Sequence, residues 1–177
     1  MKTAIALLAI STVVVTSVAR AAIDRSPPPE RTATLFNIQR TENANELFYE
    51  ARLTPEGLAT KDPIKVYWVM KAEEGQREDL NDLEKQMAYG VAVESATRTE
   101  TVFTLKAFKG RKIVVRLDGE EGAYRARAYT QINDETTELE RLFITTKSMG
   151  LFPKVVKVEI FGRSKPESAG DIETLIP

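Results

Sequence analysis

From Thr34 onward the apolar residues recur mostly at every second position. Leu47, Tyr49, Ala51 and Leu53 fall on one face of an extended segment, and Glu46, Glu50 and Arg52 on the other. Ile64, Val66, Trp68 and Met70 alternate with Lys65, Tyr67, Val69 and Lys71. Alternation of this kind marks a strand with one face in a core. The same period runs through Thr101–Lys106, Arg111–Leu117, Ala123–Ile132, Glu138–Thr146 and Val155–Phe161. With Thr34–Arg40 and Tyr89–Glu94 the pattern predicts about nine strands. Pro55-Glu56-Gly57, Lys109-Gly110, Asp118-Gly119 and Asn133-Asp134 supply the turn residues between them. Short, regularly spaced strands with no βαβ unit predict a mainly β, single-domain antiparallel fold, either a β-sandwich or a flattened calycin-like barrel.

One stretch changes period. In Glu78–Tyr89, Leu80, Leu83 and Met87 recur at i, i+3 and i+7, the spacing of one helical face. Glu78 and Asp79 suit the positive end of a helix, Lys85 stands near the other end, and Gly90 can terminate it. A single short helix is expected, with its Leu80/Leu83/Met87 stripe packed on the sheet or across a barrel end.

The two ends of the chain break the pattern differently. Met1-Lys2, an apolar run of 17 residues from Thr3 to Ala19 and the small residues of Ala19-Arg20-Ala21 read as a secretory signal peptide cut near Ala21. Five hydroxyl residues interrupt that run, and a membrane-spanning helix needs about 20 apolar residues, so an uncleaved anchor fits less well. No cysteine stands near the cut, which removes a lipid anchor. Residues 22–33 hold Pro27-Pro28-Pro29 and read as an extended linker. The expected globular domain is 34–163, followed by a polar, surface tail at 164–177. The expected location is the periplasm or the exterior, with no span left in the membrane after cleavage.

Composition then removes several chemistries. The 177 residues contain no histidine and no cysteine. The usual general base at neutral pH, the commonest metal ligand, every Cys–His or Ser–His arrangement and every disulfide are therefore absent. Cleavage takes Lys2 and Arg20 from 25 basic residues set against 26 acidic ones, leaving the mature chain acidic by three charges. Nucleic acid is not an expected partner, because phosphate binding needs concentrated positive charge. No cofactor and no metal site is expected. Asp118-Gly119-Glu120-Glu121 and Asn133-Asp134-Glu135 carry oxygen ligands for calcium, yet they read better as ordinary turns.

Three segments form a familiar ordered set: Arg40-Thr41-Glu42-Asn43-Ala44-Asn45, then Pro63-Ile64-Lys65-Val66-Tyr67-Trp68-Val69-Met70, then Glu84-Lys85-Gln86-Met87-Ala88-Tyr89-Gly90. The set resembles a family of secreted proteins known as domain of unknown function 4833. The resemblance implies no activity and transfers no catalytic residue. Read physically, Asn43 and Asn45 either shape a bend between strands or offer amides to a polar ligand. Trp68 is either a core anchor or the floor of a ligand cavity, and Tyr67 and Tyr89 suit both readings. Arg125 and Arg127 share a strand face near Arg111, Lys112 and Arg116, and would either pair with Glu120, Glu138 or Glu140 or take an anionic ligand.

The candidate ligand-binding residues are thus Trp68, Tyr67, Tyr89, Asn43, Asn45, Arg125 and Arg127, and no catalytic residue is named. The leading functional expectation is a non-catalytic binding module for a small amphipathic molecule or for an envelope protein. The alternatives are a carboxylate-dependent, glycosidase-like hydrolase, which needs no histidine, and a purely structural envelope component.

Overall fold

A computed structural model describes residues 31–41, 43–120, 123–149, 152–164 and 170–177. The signal peptide and most of the linker read from the sequence lie outside the described residues. The elements run β1 (Arg31–Arg40), β2 (Asn43–Thr54), β3 (Gly57–Leu58), β4 (Ile64–Met70), a 3-10 turn (Lys71–Glu73), β5 (Gln76–Asp79), α1 (Asp82–Met87), β6 (Val91–Ala96), β7 (Glu100–Leu105), β8 (Phe108–Asp118), β9 (Arg125–Ile132), β10 (Glu135–Met149), β11 (Phe152–Arg163) and β12 (Asp171–Leu175). The fold is mainly β with one short helix, as the period-two pattern predicts. It forms a curled half-barrel in the strand order β5-β4-β2-β1-β10-β9-β8-β7-β6.

β10 organises that curl. Its first residues pair with β9 and its residues Arg141–Ile144 pair with β1, while β11 pairs along it from Glu138 to Met149. Glu138 bonds Tyr129 on one side and Arg163 on the other, so β9 and β1 leave β10 by the same edge. The register shifts between Leu139 and Arg141, where the sheet divides. A bulge of this kind bends a strand and sharpens its twist, which turns the two halves toward each other. The β1–β10 pair is parallel, a departure from the all-antiparallel expectation; every other strand pair is antiparallel. It arises because two distant segments, not a hairpin, meet at the centre of the sheet.

The core fills the concave side. Leu47, Tyr49 and Ala51 of β2 are fully buried, and Ile64 and Trp68 of β4, Phe103 and Leu105 of β7, and Ile113 and Val115 of β8 join them. Phe36 and Tyr49 stack with ring centroids 4.5 Å apart. At one end Leu58 N donates to the Arg98 carbonyl at 2.8 Å, tying β3 to the β6–β7 turn. Gly57 sits there at φ 132°, and an added Cβ would collide with the Arg98 carbonyl oxygen. Gly57→Ala is therefore expected to cost about 1–3 kcal/mol or more, read as a lower urea midpoint at unchanged m-value.

Four sequence expectations are corrected. The helix covers only Asp82–Met87, because β5 claims Gln76–Asp79 and Asn81 caps the helix. Its apolar stripe does not face the sheet: Leu80 is buried, but Leu83 is 70% and Met87 69% exposed. The β7–β8 turn falls at Lys106-Ala107, not Lys109-Gly110, because Lys106 N and Ala107 N donate to Gly90 and Ala88 carbonyls. The segment read as a polar tail contains β12, which pairs with β11 from Val158 to Gly162. Its anchor is Arg111, whose fork grips Glu173 with two 2.8 Å bonds and holds that carboxyl below its usual range.

On the convex side Tyr67 is buried and donates to Glu50 Oε1 at 2.6 Å. Glu50 is 4% exposed, and its Oε2 has no hydrogen-bond partner. Burial, then the Glu50 bond, pushes the Tyr67 phenol from 10.0 to about 12. A pKa raised on folding means that the folded state holds its proton more tightly, so this stability is complete below pH 10 and is lost between about pH 10 and 12. Tyr67→Phe leaves Glu50 buried without its donor and is expected to cost about 1–3 kcal/mol at neutral pH, while flattening the alkaline loss. Urea unfolding at a series of pH values checks both effects.

Candidate functional site

The three segments that carry the family resemblance converge at one end of the concave face. β1 ends in Arg40, whose guanidinium carbon lies 4.7 Å from the Trp68 ring centroid and 5.7 Å from that of Tyr89. Its Nη1 donates to the Tyr89 hydroxyl at 2.9 Å. Trp68 and Tyr89 meet edge to face, 5.3 Å apart at 82°. The indole Nε1 donates to Glu84 Oε1 at 3.1 Å. The Tyr49 hydroxyl donates to the Tyr89 carbonyl at 2.8 Å, fixing the backbone beyond α1. Burial first, and the neighbouring Tyr89 second, hold the Tyr49 phenol well above its ordinary range.

Local rules place each partner. Trp68 lies in the inward phase of β4, opposite Leu47 on β2 and Glu78 on β5. Asn81 and Glu84 form a capping box: Glu84 N donates to Asn81 Oδ1 at 2.9 Å and Asn81 N to Glu84 Oε2 at 3.0 Å. Glu84 thus turns toward the indole, which is why the Leu83 and Met87 side of the short helix faces water. Arg40 occupies the inward phase set by Phe36 and Ile38, stacked on aromatic faces that hold a cation well.

The cluster stands between two hollows. A polar pocket of about 320 Å³ is lined by Arg40, Asn45, Trp68, Glu78, Asp79 and Glu84 among others. Tyr89 also borders an apolar cavity of about 360 Å³, lined among others by Ile38, Leu105, Phe108, Leu142, Ile144 and Val158. Leu175 and Ile176 lie at the same cavity. Its lining carries no charged side chain.

The candidate residues from the sequence divide. Trp68 and Tyr89 belong to the cluster. Asn45 lines the polar pocket, and its Oδ1 accepts from Lys71 N at 3.1 Å, a tie between β2 and the 3-10 turn. The Asn43 side chain lies outside the described residues. Tyr67 is on the opposite face, with Arg77 4.5 Å over its ring. Arg125 and Arg127 border a separate depression of about 540 Å³, where Arg127 bonds Glu138 at 3.1 Å and Arg163 bonds Glu140 at 3.0 Å. Of the β8 basic residues, Arg116 stands directly opposite Arg127 across the β8–β9 ladder and lies 5.5 Å over the Tyr129 ring while pairing with Glu100, whereas Arg111 and Lys112 pair away from the depression with Glu173 and Glu94.

Arg40 and Glu84 were not among the candidates. A charged residue in the apolar phase of Phe36-Asn37-Ile38-Gln39-Arg40 is the signal for the first. The Asn81–Glu84 spacing of a capping box is the signal for the second. Among the described residues no group of three or more acidic side chains is arranged to hold a metal ion, and no helix is long and apolar enough to cross a membrane.

A sequence model of one family, described as Domain of unknown function (DUF4833), matches residues 36–172. No curated protein and no solved structure matches the chain. The match spans β1 to the start of β12 and takes in Arg40, Trp68, Glu84 and Tyr89, so the chain belongs to the DUF4833 family.

Proposed function

We propose that this protein is a non-catalytic binding module for a small amphipathic molecule whose apolar part occupies the cavity beside Tyr89. The observation that carries this reading is the cavity itself. Its volume of about 360 Å³ falls in the range of roughly 300–1,000 Å³ typical of small-molecule sites. Its walls are mostly carbon, so water gains few hydrogen bonds there and an apolar group gains contacts that the empty space denies the lining side chains. The leader supports a place of action in the periplasm or outside the cell. The absence of histidine and cysteine supports binding over catalysis.

The experiment is thermal unfolding of the mature chain with hexanol, octanol or decanol, and with glycerol as a polar control. A ligand at a hundred times its Kd stabilises by about 2.7 kcal/mol, which for a chain of this size raises Tm by roughly 5–10 °C. A chain-length-dependent rise with the alkanols and none with glycerol is expected. No rise with any alkanol would overturn the reading. Co-purification with an envelope protein would then favour the partner-protein alternative.

A further inference from the structure

We propose that the polar pocket on the other side of the Arg40–Trp68–Tyr89 cluster binds a small zwitterion, its anionic group on Arg40 and its ammonium group on Glu78. This site does not depend on the apolar cavity, because its polar groups and its wall are separate from it.

Arg40 is an incompletely used guanidinium. Its Nη1 is committed to the Tyr89 hydroxyl and its face to Trp68. Among the described residues it forms no ion pair, and its Nε is buried with no acceptor. The guanidinium lines the polar pocket without a carboxylate partner, and an arginine fork suits a carboxylate or a phosphate.

The rim has the opposite sign. Glu84 spends both oxygens, one on the indole and one on Asn81 N. Glu78 is exposed and forms no ion pair with another described residue. Glu78 stands opposite Trp68 across the β4–β5 ladder, so its carboxylate shares the indole's side of the sheet. An anion alone would satisfy Arg40 but meet the repulsion of these carboxylates. A cation alone would suit the rim but face the guanidinium. A molecule with an anion and an ammonium a few bonds apart meets both demands, and a pocket of about 320 Å³ is ample for it.

Trp68 is the single tryptophan of the chain and forms part of the pocket wall, so its emission reports occupancy. The test titrates the mature protein with phosphoethanolamine, alanine, inorganic phosphate and ethanolamine. One of the two zwitterions is expected to change the Trp68 emission saturably, at concentrations roughly tenfold below those needed for phosphate or ethanolamine alone. The better zwitterion tells whether the anion is a phosphate, as on a lipid headgroup, or a carboxylate. Because Arg40→Gln disturbs the aromatic cluster, the second variant is the exposed Glu78→Gln. It is expected to keep its unfolding midpoint and lose the roughly tenfold advantage of the zwitterion over phosphate. Equal responses to the zwitterion and to either half alone, or no response to any probe, would overturn the proposal. Both results are independent of alkanol binding.

Discussion

Truncation of Tyr49 to alanine is expected to lower the stability of the fold by about 3–5 kcal/mol, the usual range for deleting a buried aromatic ring. Tyr49 is fully buried at the centre of β2. Its ring stacks on Phe36 of β1, and its hydroxyl reaches the Tyr89 carbonyl beyond α1. Alanine would leave a cavity that two hydrogen-bonded strands cannot collapse to fill. Tyr49→Phe keeps the ring and removes only the bond to Tyr89, so a smaller loss of about 1 kcal/mol is expected. The phenylalanine variant should also shift Trp68 emission, since Tyr89 rests edge-on against the indole. Urea unfolding followed by tryptophan fluorescence measures both effects. Equal losses for the two variants would show that the hydroxyl, not the ring, carries the energy.

The second large effect concerns the apolar cavity. Leu142→Trp is expected to abolish alkanol binding by filling the space that Leu142, Ile144 and Ile38 share. Leu142 is only 3% exposed, so the larger ring also strains the core, with an expected cost of about 1–3 kcal/mol partly offset by the filled volume. Ala107→Phe separates the two consequences. Ala107 is an exposed turn residue on the cavity wall, so its replacement narrows the cavity without entering the packed core. Both variants should lose the Tm rise with decanol while the Ala107 variant keeps the parent Tm in its absence. An undiminished rise in both would place the alkanol elsewhere.

Much of the fold was legible because strand burial is a local property. The alternation at Leu47, Tyr49 and Ala51 predicts the inward face of β2, and all three are buried there. Asn133 and Asp134 take positive φ values of 49° and 66° in the two-residue β9–β10 turn that their types announce. The helix was legible in existence but not in orientation. A stripe of Leu80, Leu83 and Met87 is a propensity for one face, and it yields when a capping box and an indole bond turn Glu84 inward. The parallel β1–β10 pair was beyond reach, because nothing local in Asn37–Arg40 names Arg141–Ile144 as its partner.

The site was legible only in part for the same reason. Trp68 and Tyr89 stand out by type. Arg40 becomes meaningful only when the strand phase is read as binding on a charged residue, and Glu84 only when its hydrogen bond to a residue 16 positions away is seen. The arginines of β9 stood out by clustering, and strand pairing does set Arg116 opposite Arg127, but Arg127 spends its charge on Glu138 and Arg116 on Glu100.

The central claim is that the cavity beside Tyr89 is a ligand site. Methyl-resolved NMR of the mature chain with decanol tests it most directly. Intermolecular contacts from the alkyl chain to the methyl groups of Ile38, Leu142, Ile144 and Val158 are the predicted result. Contacts confined to the exposed Leu83, Met87 and Ile172 would contradict it, because they would mark adsorption to the surface and leave the cavity empty.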